Sequence, residues 1–92
     1  MELIDFMRHL DAFHEEFNTD VSPKGRAIKL VEEVCEYLED PNDEEALDVL
    51  VCAISLCNSR GIKSLLFAAF LKLQKTAEKY RSLTESTSTW VK

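Results

Sequence analysis

The stretch from Ala46 to Cys57, "ALDVLVCAISLC", constrains this chain more than any other. Ten of its twelve residues are apolar. A helix apolar around most of its circumference must be covered on several sides. A 92-residue chain makes one domain with few helices to do the covering. Only two glycines and two prolines are present, so a few long elements with short links are expected. The expected fold is all-α: a four-helix antiparallel bundle completed by oligomerisation, as a homodimer or homotetramer. No strand signal and no internal repeat is visible.

Local signals place the helices. In Glu2 to Phe17, Leu3, Phe6, Met7, Leu10, Phe13, His14 and Phe17 share one stripe. Ser22 with Pro23 starts a second helix, and Pro41 ends it near Glu39. Its expected core face is Ala27, Leu30, Val31, Val34 and Leu38, widened by Ile28, Cys35 and Tyr37. Asn42 or Asp43 caps a third helix running to about Ser59, closed by Gly61 and Ile62. A fourth runs from about Ser64 to Arg81. The domain is expected over residues 1–82, with a loose Ser/Thr-rich tail over 83–92 that contains Trp90.

The third helix carries an anomaly. Glu45, Asp48, Ser55 and Ser59 fall on one stripe roughly 80° wide, a polar seam on an otherwise apolar helix. The second helix supplies a matching pair: Glu33 and Glu36, like Glu45 and Asp48, stand at i and i+3. A short link makes the two helices antiparallel, so both pairs can face each other near the joining end. Four converging carboxylates repel unless a cation meets them. Oxygen-only donors favour Mg²⁺, or Mn²⁺, over zinc. Glu32, Glu39, Asp40 and Glu44 read as solvated charge. An EF-hand does not fit, because Ala46 stands where its loop needs glycine.

These residues resemble a known family. "EEVCE", Glu32 to Glu36, followed by "EALD", Glu45 to Asp48, is similar to the EExxE…ExxD signature of MazG-like nucleoside triphosphate pyrophosphohydrolases. "FHEEF", "LCNSRGI" and "KLQKTAEKYR" resemble further parts of that family, and the likeness covers most of residues 10–82. It implies Mg²⁺-dependent hydrolysis of a (deoxy)nucleoside triphosphate to the monophosphate and pyrophosphate. It implies Glu33, Glu36, Glu45 and Asp48 as metal ligands, and Glu32 as an acid that orients the attacking water. It also implies sites built across subunits. The gap between the acid pairs is short for the family, and the asparagine often found in the basic segment is not evident. A phosphoribosyl-ATP pyrophosphohydrolase and a non-catalytic helical interaction module stand as alternatives.

Other residues extend the expectation. Lys72, Lys75, Lys79 and Arg81 concentrate positive charge, and the three lysines share a ridge suited to phosphates. His14, inside the first apolar stripe, is either a satisfied core histidine or a contact for base or ribose. The net charge of −6 argues against nucleic-acid partners. No apolar run approaches the ~20 residues of a membrane span, and no signal peptide is expected. Cys35, Cys52 and Cys57 read as small buried thiols, hence a reducing, cytoplasmic setting.

Overall fold

A computed structural model describes residues 1–86. Among them the chain is all-helical: α1 Leu3–Phe17, α2 Pro23–Glu39, α3 Asp43–Ser59 and α4 Leu65–Ser86. The expected all-α class is observed. Two compact units are present, Met1–Ile62 with α1 to α3, and a second from Lys63 onward with α4. Among the described residues, no helix is long and apolar enough to cross a membrane. Trp90 and the end of the tail lie outside the described residues.

The helix ends follow from capping chemistry. Asn18 closes α1 in the left-handed region at φ 51°, a conformation asparagine tolerates. The Ser22 side chain accepts from the Gly25 N–H at 3.1 Å, with Pro23 in the first turn. The Asn42 side chain accepts from the Glu45 N–H at 2.9 Å, and Asp43, Glu44 and Glu45 occupy the positive end of α3. At the other end the Gly61 N–H donates to Asn58 O and the Ile62 N–H to Cys57 O. That pair of bonds, with Gly61 at φ 73°, is the Schellman closure. Helix α4 continues to Ser86, past the expected end near Arg81.

Within the first unit α2 and α3 pack along their lengths as an antiparallel hairpin. Two side-chain bonds tie α1 to α3: His14 to Ser55, and Asn58 to Asp11. The interior is unusual. Among the described residues the buried set holds Leu10 and Cys52 against three polar residues, His14, Glu33 and Ser55. Buried polar groups outnumber buried apolar ones, the reverse of an ordinary core.

The apolar faces are correspondingly open. Val31 is 61% exposed, Leu38 70% and Leu47 58%. The expected burial of the whole α2 stripe is therefore corrected: Ala27 and Leu30 are half-buried, while Val31, Val34 and Leu38 face outward. Among the cysteines only Cys52 is buried; Cys57 is half-buried and Cys35 exposed. On α4, Leu66, Phe67, Phe70 and Leu73 are also exposed.

Candidate metal centre and substrate cleft

The polar interior is organised around one carboxylate. Glu33 projects from the middle of α2 toward α3 and is only 8% exposed. Its Oε1 is paired with Lys29 Nζ at 3.2 Å, one turn earlier on the same helix. Its Oε2 is buried with no hydrogen-bond partner among the described residues. Across the hairpin, Glu45 also buries an Oε2 without a partner. Such orphaned oxygens are rare in folded proteins and call for an explanation.

One oxygen from each of Glu33, Glu45 and Asp48 lies within 4.8 Å of the others. Opposite ligands across an ion with bonds of about 2.1 Å stand about 4.2 Å apart. The 4.8 Å bound on the triple exceeds that span by about 0.6 Å, so small side-chain movements would bring the three oxygens onto one ion. The donors are all hard oxygens, and two of the three residues, Glu33 and Glu45, each bury an oxygen with no hydrogen-bond partner among the described residues. Mg²⁺ and Mn²⁺ fit that donor set.

The electrostatics report the same crowding. Burial pushes the Glu45 carboxyl above the ordinary range, and the negative charges of Glu36, Asp48, Glu33 and Asp40 push it further. Lys29 is held above the usual lysine value, chiefly by its bond to Glu33. The Cys52 thiol is raised by burial and then by the Glu33 charge.

A cleft of about 520 Å³ runs away from the acids, bordered by Glu33 and Asp48, by Lys29 and Arg26, and by Phe6 and Phe13. His14 stands in its wall. His14 Nε2 is 2.9 Å from Ser55 Oγ, and its Nδ1 bonds the Thr19 hydroxyl. Burial lowers the His14 pKa, with a further contribution from the Arg26 charge, partly offset by Asp11. The ring is thus neutral near pH 7, and Phe13 packs edge-on against it at 5.7 Å. A second cavity of about 430 Å³ lies beside the first, sharing His14, Thr19, Arg26 and Ser55.

Of the expected site residues, Glu33, Glu45 and Asp48 come together, and His14 lines the cleft that Glu33 and Asp48 border. Glu36 is exposed and lies outside the close triple, although its charge reaches Glu45. Glu32 is exposed on the flank of α2. Lys72, Lys75, Lys79 and Arg81 are exposed on α4. Sequence reasoning missed Arg26 and Lys29. Their spacing with Glu33, at i, i+3 and i+7, was the available signal.

No family model matches the chain, and no curated protein or solved structure matches it.

Proposed function

We propose that the chain is a MazG-like nucleoside triphosphate pyrophosphohydrolase dependent on Mg²⁺ or Mn²⁺. The observation that carries the proposal is the Glu33 carboxylate: its buried Oε2 has no hydrogen-bond partner among the described residues, and one of its oxygens lies within 4.8 Å of one each from Glu45 and Asp48. Leaving a polar atom buried without a partner costs about 1–3 kcal/mol, more for a charged group. A bound divalent ion removes that cost.

Glu33, Glu45 and Asp48 would hold the ion, and Glu36 adds negative charge beside Glu45. When bound, the ion offsets phosphate charge and makes a coordinated water nucleophilic at neutral pH. Glu32, exposed on the adjoining flank of α2, would orient the attacking water. The nucleoside lies along the aromatic side of the cleft, against Phe13 and the neutral His14. In the reaction water adds to the α-phosphorus, and the bond from that phosphorus to the bridging oxygen breaks. Pyrophosphate leaves with the electron pair, and the proton of the water passes to solvent through a carboxylate. Within the same unit, Arg26 and Lys29 border the cleft and offer positive charge for the phosphates.

The exposed apolar side chains Val31, Leu38, Leu47 and Leu50 of α2 and α3 support assembly into a homodimer or homotetramer. The same surface favours the alternative of a helical interaction module. The free thiols support a reducing, cytoplasmic setting.

A panel of nucleoside triphosphates, with phosphoribosyl-ATP alongside, tests the proposal through Mg²⁺-dependent pyrophosphate release. Turnover that Asp48→Asn lowers by orders of magnitude is expected. Preference for phosphoribosyl-ATP selects the related enzyme, and absence of turnover across the panel selects the interaction module.

A further inference from the structure

Two cations line the cleft beside the acids, and they differ in what they are bound to. Lys29 is committed to Glu33 Oε1. Arg26 is half-buried, and among the described residues no carboxylate lies within ion-pair distance of it. Its Nε donates to the Asp20 backbone oxygen at 2.6 Å. A guanidinium carries five N–H donors, and this bond takes one. The stem is anchored, and the terminal donors are left to the cleft that Arg26 lines.

The segment before Arg26 is built around that anchor. The Ser22 N–H donates to Asp20 Oδ1 at 2.9 Å, fixing the turn that presents the Asp20 carbonyl. Gly25 lies directly under the Asp20 carboxylate, and a Cβ at Gly25 would overlap it. A side chain at position 25 would have to turn the Asp20 carboxylate aside, and with it the bond to the Ser22 N–H.

Arg26 and Glu33 are seven residues apart on one helix, about 10 Å along its axis. A single orthophosphate on a metal at Glu33 meets one of them. A chain of phosphates can meet both. We propose that Arg26 is the phosphate-chain clamp of this cleft, binding the anionic group of a metal-held polyphosphate that lies farthest from the acid triple. The inference rests on the metal reading of Glu33, Glu45 and Asp48 and adds the residue that measures the length of the phosphate chain. Arginine suits the task, since its planar fork matches phosphate oxygens two at a time.

Equilibrium dialysis of inorganic tripolyphosphate at fixed Mn²⁺ tests the clamp without knowledge of the base. Arg26→Gln is expected to weaken tripolyphosphate binding roughly 10- to 100-fold, the loss of one charge-assisted contact. Binding of Mn²⁺ alone and of orthophosphate with Mn²⁺ is expected to stay within about twofold. Arg26→Lys keeps the stem and the charge, and with them the fold, but loses the Asp20 anchor; an intermediate loss is expected. Gly25→Ala is expected to weaken tripolyphosphate and spare Mn²⁺. Tripolyphosphate held as tightly by both Arg26 variants as by the native chain overturns the clamp. So does native protein that binds Mn²⁺ but no tripolyphosphate. Native protein that binds no Mn²⁺ overturns the metal reading, and the clamp with it.

Discussion

Lys29 and Glu33 stand one turn apart on α2 with Nζ 3.2 Å from Oε1, and the pair satisfies only half of the carboxylate. The other oxygen is buried with no donor among the described residues. Lys29 is nearly half exposed, so its share of the stabilisation is modest. Lys29→Met is expected to destabilise the metal-free protein by about 1–2 kcal/mol in urea. With Mn²⁺ present the loss shrinks, because the ion compensates the charge that Lys29 compensated. An equal loss with and without Mn²⁺ contradicts a shared role at Glu33.

Glu45 supplies a pH signature. Its carboxyl is raised, first by burial and then by neighbouring carboxylates, so the folded protein holds this proton where the unfolded chain has released it. The resulting stability is present below the ordinary carboxylate range and is lost as pH rises through the raised value. Glu45→Gln mimics the protonated form at every pH. In metal-free buffer the native protein is expected to match the variant in acid and to fall behind it as pH rises through that window. Saturating Mn²⁺ is expected to close the gap. Parallel stability curves at all pH values contradict the crowding.

The His14–Ser55 bond links α1 to α3 and fixes the ring in the cleft wall. Ser55 is 3% exposed, so Ser55→Ala leaves His14 Nε2 without its partner at a cost of about 1–3 kcal/mol. A double-mutant cycle with His14→Asn is expected to return a coupling of about 1 kcal/mol. His14 is depressed below its usual value, so it contributes stability above the ordinary histidine pKa that is lost as pH falls through the depressed one. Histidine titration followed by NMR checks the direction.

Much of the fold was legible because its punctuation is local. Ser22–Pro23, Asn42 and Gly61–Ile62 each act within a few residues, and each helix boundary they imply is found. The acid motif was legible in part. Helical projection puts Glu33 and Glu36 on one side of α2, but only the neighbouring helix decides which side chain turns inward, and that is Glu33. Periodicity likewise identified Val31 and Leu38 as one apolar face without telling whether this chain covers it. Arg26 escaped notice because its significance comes from Asp20 and the cleft, not from its spacing alone.

That apolar face makes a prediction about assembly. Val31 and Leu38 lie seven residues apart on one side of α2, both largely exposed. Sedimentation is expected to give a dimer or tetramer. Val31→Lys with Leu38→Lys is expected to shift it toward monomer while helical circular dichroism is retained. A native chain that sediments as a monomer at high concentration contradicts the assembly.

The most direct measurement is an electron paramagnetic resonance titration of Mn²⁺ into the native chain and into Glu33→Gln and Asp48→Asn. The free-ion signal should be suppressed up to about one Mn²⁺ per site in the native protein and appear at once in both variants. A native titration indistinguishable from buffer, with circular dichroism showing intact helices, would mean that these carboxylates hold no ion.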